Sequence, residues 1–328
     1  MSRLRIAIRV PVGRPLPEVA AFVARCEDAG FDGVGIHDHP SSGRDAYLAL
    51  ALAAQQTQRL RLFPATSSPL VRHPLVLASL AHSLDEIAPG RALLTVAPGF
   101  ISTRSIGQPR AGVAVMRESI RDLRRLLSGE PVAFGQTSTK LRNLSATPTP
   151  VYLLAAGPRM IELAGEVADG VVLFVGLHSA SIRAAMRHLQ EGANRTGRSL
   201  DGFPVIFAVT LGLGDEDVGA RWVRSWFAPG QPFLEYPSAA NLHWLREAGF
   251  DVARGQDPAT VTEARDIADA FGLFGSPERC ADRLLQAHEE AGVNDVFLFP
   301  AHDLPGGYTM PETEVRAFEQ VIRPRLGR

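Results

Sequence analysis

Short apolar runs and amphipathic stretches alternate along this chain. The apolar runs cover residues 4–10, 33–37, 60–65, 92–97, 151–155, 170–175, 204–211 and 295–299. Most are continuous rather than alternating, as parallel strands buried on both faces require. Between them lie stretches with helical spacing, at 16–29, 44–55, 73–87, 113–127, 159–167, 178–194, 216–226, 277–291 and 312–322. The first shows the pattern plainly: Val19, Phe22, Val23 and Cys26 share one face, and Gly30 follows as a C-cap. Ser276 caps the stretch 277–291, Pro277 takes its first helical position, and Gly292 closes it. Eight strand–helix units in 328 residues predict one α/β domain, a (β/α)8 TIM barrel spanning 1–328. A doubly wound sheet would carry a glycine-rich turn after its first strand, and Arg9-Val10-Pro11-Val12-Gly13-Arg14 is not one.

Three segments exceed the bare repeat, at about 98–112, 134–150 and 228–272. The second is polar and turn-rich and reads as a hairpin excursion. The third holds Phe233, Tyr236, Trp244, Phe250 and Phe271 and reads as extra helices. A structureless loop of that length is rare in a compact domain.

Composition narrows the function classes. A net charge of −1 speaks against a nucleic-acid binder. No apolar run reaches the roughly 18 residues that span a bilayer. Two cysteines, Cys26 and Cys280, make neither a disulfide framework nor a metal cluster. The expectation is a cytoplasmic enzyme with a small-molecule substrate, no metal, no membrane and no nucleic acid.

In a barrel the chemistry lies at the C-terminal ends of the strands. After the second run stand His37, Asp38 and His39. Alternation puts the two histidines on one side and Asp38 on the other. His39 is a candidate general acid or base, and Asp38 a candidate acceptor for a ring N–H; a polar strand end that satisfies its own backbone is the plainer alternative. Ala65, Thr66 and Ser67 follow the third run, and Arg72 and His73 precede a helix start that favours an anion. Gly99 follows the fourth run, where glycine lets backbone approach a ligand. The strongest local signal is Ala155-Ala156-Gly157-Pro158-Arg159, a strand that ends in small residues with proline opening a helix. Free N–H groups there, beside Arg159, would cradle a phosphate without a P-loop consensus; a tight turn needing glycine only for geometry is the other reading. No H-E-x-x-H, C-x-x-C or G-x-S-x-G motif occurs.

The chain resembles the bacterial luciferase-like family of flavin- and deazaflavin-dependent oxidoreductases over about residues 4 to 300. The resemblance rests on phrases in the right order. They are Glu27-Asp28-Ala29-Gly30-Phe31-Asp32-Gly33-Val34 with Asp38-His39, the stretch from Arg59 through Pro69 to Arg72-His73-Pro74, and Ser83-Leu84-Asp85-Glu86-Ile87 with Gly90-Arg91. Ala155 to Arg159, Leu163 to Val171, and Phe274-Gly275-Ser276-Pro277-Glu278 complete the series. The branch with methylenetetrahydromethanopterin reductase is the nearer likeness. It implies coenzyme F420, or alternatively FMN, at the C-terminal face of the barrel. It also implies a non-proline cis peptide at Ala65–Thr66. The implied ring contacts are Asp38, Thr66, Ser67 and Gly99, and the implied phosphate contacts are Ala156, Gly157, Pro158 and Arg159. His39 matches the histidine that F420-dependent sugar-phosphate dehydrogenases place near the reacting centre. Their glutamate after strand four is Phe100 here, which speaks against sugar-phosphate oxidation.

The reading that follows is an F420-dependent oxidoreductase transferring a hydride to or from a small organic substrate. Alternatives are an FMN-dependent monooxygenase fed by a partner reductase and a non-catalytic flavin-binding protein. One lysine, Lys140, among 34 basic residues suggests a GC-rich genome, and GC-rich actinobacteria commonly make F420. The resemblance also implies a homodimer.

Overall fold

The computed structural model describes residues 3–144, 146–225, 238–251, 260–301 and 305–327. Among the described residues, eleven strands run in chain order: β1 (Arg5–Val10), β2 (Gly33–Ile36), β3 (Arg61–Pro64), β4 (Leu94–Val96), β5 (Val132–Phe134), β6 (Thr137–Thr139), β7 (Val151–Ala155), β8 (Gly170–Leu173), β9 (Val205–Leu213), β10 (Gly272–Gly275) and β11 (Asp295–Pro300). Eight of them form a parallel wall in the order β3-β2-β1-β11-β9-β8-β7-β4. Single bridges, Leu62 to Ala92 and Ser67 to Val96, bring β3 against β4 and nearly close the ring. The fold is therefore the expected TIM-like barrel, and each of the eight wall strands falls on a run that the sequence predicts.

The pleat sorts the side chains into two cores. On β1, Ile6, Ile8 and Val10 join the large cluster shared with the outer helices. Ala7 points the other way, into a lumen cluster with Phe63, Tyr152, Val172, Ala208 and Phe297. The lumen is filled, as small barrels require. Gly35 is needed for that filling: a Cβ there would lie 2.4 Å from the Phe297 ring and 2.6 Å from the Phe63 ring.

The expected hairpin exists but starts earlier, as β5 paired antiparallel with β6. The long insertion supplies two helices, Ala239–Glu247 and Val261–Phe271. These pack on helix Val218–Ser225 around a small core of their own that includes Leu245, Ile267 and Phe271. Phe233 and Tyr236 lie outside the described residues. One element escapes the sequence reading. Gly272–Gly275, assigned there to the end of the insertion and a helix start, is a strand that pairs with the upper half of the long β9. Two apolar residues between glycines carry no periodicity to read.

Outside the barrel's top, one buried carboxylate ties the first helix to β3. Glu27, near the end of helix Leu16–Ala29, accepts the N–H groups of Gln58 at 2.9 Å, Arg59 at 2.6 Å and Leu60 at 3.0 Å. Burial raises its pKa, but the three donors outweigh burial and hold it below the ordinary 4.5. A carboxylate with a depressed folded pKa stabilises above its unfolded pKa and loses that contribution as pH falls through the folded value. Glu27→Ala should therefore cost about 2 kcal/mol at pH 7, because it strands buried donors. In urea melts the gap between wild type and variant should shrink as pH drops below 4.5; a gap that stays constant would contradict the assignment.

Candidate active site

At the C-terminal mouth, β2 ends in His37-Asp38-His39 and keeps its alternation. The two histidine rings lie 5.2 Å apart on one side. Asp38 takes the opposite side and is 5% exposed. It accepts from the Ser67 hydroxyl at 2.6 Å and from both Nε and an Nη of Arg72 at 3.1 and 2.9 Å. Arg72 also donates to Asp45 at 2.8 Å, and Asp45 caps helix Ala46–Gln56 through Tyr47 N–H. The Tyr47 hydroxyl closes the group on Ser67 at 2.9 Å. Burial disfavours the charge on Arg72, but two carboxylates outweigh it and raise its pKa above the ordinary value. Burial likewise opposes ionisation of Asp45, and Arg72 reverses that to a lowered pKa.

This network places Asp38 and Ser67 behind the open face, where they fix the ends of β2 and β3. His39 does not donate to Asp38; its ring nitrogens meet Ser41 and Tyr308 instead. Arg72 is likewise engaged by protein carboxylates rather than presented to an outside anion. His73 caps helix Pro74–Ile87 by accepting Leu75 N–H at 3.2 Å. The peptide bond Ala65–Thr66 is cis, as the resemblance implies. Ala65 is buried against the lumen, and Thr66 is half-buried.

His39 is 9% exposed, and both its ring nitrogens have hydroxyl partners. Nε2 meets Ser41 Oγ at 3.0 Å, and Nδ1 meets Tyr308 Oη. The two rings are nearly parallel, 3° apart. One nitrogen is a donor and the other an acceptor in the neutral imidazole, so the hydroxyls set the tautomer between them. Burial pushes the His39 pKa below 6.5, against a smaller upward pull from Asp38. Burial also raises the Tyr308 hydroxyl, opposed by Ser41 and Arg9. Arg9 is the inward residue of β1 above Ala7 and stands 6.0 Å from the Phe299 ring. Burial brings its guanidinium down to about 10.

The sequence reading missed Tyr308, Arg9, Ser41 and Tyr47. Arg9 did give a signal, a charge inside an otherwise apolar buried strand. Tyr308 gave none, because it stands in a short turn beyond β11 and reaches His39 only through the fold.

Gly99 and Gly157 differ in why they are glycine. Gly99 has φ +86°, and a Cβ there would lie 2.2 Å from Thr103. Conformation and packing thus explain it without a ligand. Phe100 follows, with the Arg110 guanidinium 4.2 Å from its ring centroid. Gly157 has φ −110° and ψ 155°, open to any residue, and a Cβ would meet nothing within 4 Å. It is the N-cap of helix Pro158–Val167 and makes no side-chain cap bond. Pro158 has no N–H, and the Met160 and Ile161 N–H groups donate to the Gly157 carbonyl at 3.0 and 3.1 Å, so the Arg159 N–H is the one this helix start leaves to a ligand. Ala156 and Pro158 flank the turn half-buried, and Arg159 is exposed. Trp244 Nε1 donates to the Ala156 carbonyl at 2.6 Å, so the insertion holds this turn. An uncapped helix start with vacant space before it and an arginine beside it fits a phosphate.

One cluster was hidden by linear spacing. Glu162, His188 and Glu191 bring ligand-type atoms within 4.8 Å of one another on two outer helices. Arg195 pairs with Glu162 there at 2.6 Å. No helix among the described residues is long and apolar enough to cross a membrane.

Comparison with known proteins agrees with this geometry. Residues 3–295 match the family described as luciferase-like monooxygenase. The 5,10-methylenetetrahydromethanopterin reductase of Methanolobus tindarius is 30% identical over 292 residues, covering 82% of this chain and 86% of that protein. The solved coenzyme F420-dependent tetrahydromethanopterin reductase of Methanopyrus kandleri superimposes with a TM-score of 0.73 at 23% identity, over 99% of this chain and all (100%) of the other. An F420-dependent secondary alcohol dehydrogenase, solved with an F420–acetone adduct, gives 0.72 at 18% identity, over 99% of each chain. The match over residues 3–295 and the 30% identity over 292 residues show that the chain belongs to the luciferase-like monooxygenase family of enzymes.

Proposed function

We propose that this enzyme is a coenzyme F420-dependent oxidoreductase acting on a small organic substrate. The observation that carries the reading is the uncapped helix start at Gly157–Pro158, on the same mouth of the barrel as His39. The F420-dependent relatives and the reductase from Methanolobus tindarius support it. Ala156, Gly157, Pro158 and Arg159 would hold the phosphate. Thr66 and Gly99 would face the ring, with Asp38 and Ser67 fixing the wall behind them. When bound, F420 supplies hydride acceptance or donation at carbon 5 of its deazaflavin.

The chain's own residues supply position and proton management. His39 is the proposed proton acceptor, or donor in the reverse direction. Its lowered pKa keeps it neutral at neutral pH, as a base requires. A substrate hydroxyl reaches Nε2 by displacing Ser41, which sits on an exposed turn. Tyr308 then holds Nδ1 and fixes the tautomer. Phe100 offers an apolar wall where the sugar-phosphate dehydrogenases have a carboxylate, which suits an unphosphorylated, less polar substrate. A homodimer is part of the same reading. Leu48, Val76 and Ile87 are exposed apolar side chains on two helices that pack together, Ala46–Gln56 and Pro74–Ile87. The family description itself favours the second reading, an FMN-dependent monooxygenase served by a reductase.

Equilibrium fluorescence titration with F420 and FMN separates the two. Micromolar or tighter F420 binding with FMN at least about tenfold weaker, a gap of about 1.4 kcal/mol, is expected. The reverse order would favour the monooxygenase. Gly157→Val should lower the thermal midpoint by no more than about a few degrees, because the position has free space and ordinary φ and only an N-cap preference is lost, yet weaken F420 by at least about tenfold. Unchanged affinity would remove the turn from the site.

Turnover of secondary alcohols by the F420-loaded enzyme tests the proton role. His39→Ala should lower kcat by about 10²–10⁴ with little change in F420 affinity, and Tyr308→Phe should lower it less. Since the base must be neutral, kcat/KM for oxidation should be full at pH 7 and fall only through an inflection below 6.5. Equal turnover in His39→Ala, or an inflection above 6.5, would end that role.

A further inference from the structure

The opposite mouth of the barrel has its own chemistry. At the N-terminal ends of the strands a cavity of about 860 Å³ opens, lined by Arg3, Arg5, Arg59, Arg61 and Arg323, with Asp32 among them. Their charges do not balance. Arg5 and Arg61 share one buried carboxylate, Asp295, at 3.0 and 2.7 Å. Arg3 pairs with Asp32 at 2.9 Å. Arg323 donates to a neutral acceptor, the Ala29 carbonyl, at 3.2 Å. The guanidinium of Arg59 makes no side-chain hydrogen bond among the described residues, and its charge is answered only by the nearby Glu27 carboxylate, which three backbone N–H groups already hold. Five guanidinium groups thus face three carboxylates, Asp32, Asp295 and Glu27, in a chain whose net charge is −1.

Two helices, Leu16–Ala29 and Pro277–Ala291, end at this cavity and bring about half a negative charge each. A positive excess remains after they are counted. Gathered in a concave, partly apolar space, it raises the local concentration of anions. Guanidinium forks match phosphate oxygens two at a time.

We propose that this mouth binds a linear oligophosphate, two or three phosphoryl groups long. Arg59 and Arg61 take the phosphoryl oxygens, and Arg3 and Arg323 flank them. The volume exceeds what an inorganic triphosphate fills and lies in the range of sites for small organic ligands. Leu285 and Leu326 on the wall offer an apolar surface to a nucleoside. The site is at the other end of the barrel from Gly157 and does not rest on the proposed activity.

Calorimetric titration of the full-length protein at physiological salt, with inorganic triphosphate and with adenosine triphosphate, tests the proposal. Saturable one-to-one binding is expected. Arg59→Gln should weaken it at least about tenfold, and Arg159→Gln, at the other mouth, should leave it unchanged. The Arg59 side chain is exposed, and its bond to Glu27 comes from the backbone N–H, which Gln keeps, so that variant keeps the fold, which circular dichroism checks; Arg3→Gln serves as a second variant with a smaller expected loss. Tighter binding of the nucleotide would identify a nucleoside ligand, and equal binding an inorganic one. The absence of saturable binding to either compound would overturn the proposal. So would Arg59→Gln binding as wild type does, or loss of binding in Arg159→Gln.

Discussion

The paired charge of Asp38 and Arg72 is the constraint on which the upper face of the barrel depends. Asp38 is almost fully buried, and an unpaired carboxylate there would be costly. Arg72 meets it with two donors and reaches on to Asp45, whose other oxygen caps the next helix. One guanidinium therefore joins the end of β2, the loop before helix Pro74–Ile87 and the start of helix Ala46–Gln56. Because a strand alternates, holding Asp38 outward also holds His37 and His39 toward the mouth. The position of the proposed base thus follows from an ion pair that does not touch it.

Much of this was legible in the sequence because the signals are local. Continuous apolar runs announce buried parallel strands. Pro158 after Gly157 announces a helix start. Alternation across His37-Asp38-His39 assigns sides without any coordinates. What was not legible depends on long-range contact. Tyr308 reaches His39 across 269 positions of chain, and Trp244 reaches Ala156 across 88. The role of Asp38 was half legible: its side of the strand could be read, but its partner Arg72 could not. β10 was invisible because it holds only two apolar residues, Leu273 and Phe274, between two glycines.

The two mouths of the barrel differ by construction. At the C-terminal mouth the outer helices begin, and uncapped N–H groups there attract anions. At the N-terminal mouth they end, and arginines answer the carbonyls. The contrast between Gly99 and Gly157 sharpens the first point. Packing and conformation account for Gly99, whereas at Gly157 neither does, since its φ is ordinary and a Cβ there would meet nothing within 4 Å. The lumen between the mouths is filled with side chains, so each mouth is a separate site.

The central claim is that the C-terminal mouth holds a deazaflavin phosphate at Gly157 and its ring beside His39. A crystal structure of the protein soaked with F420 tests it most directly. The expected result is phosphate density at the start of helix Pro158–Val167, on the Arg159 N–H, with the ring between Thr66 and His39. F420 density elsewhere on the barrel, or phosphate density remote from Gly157, would contradict it.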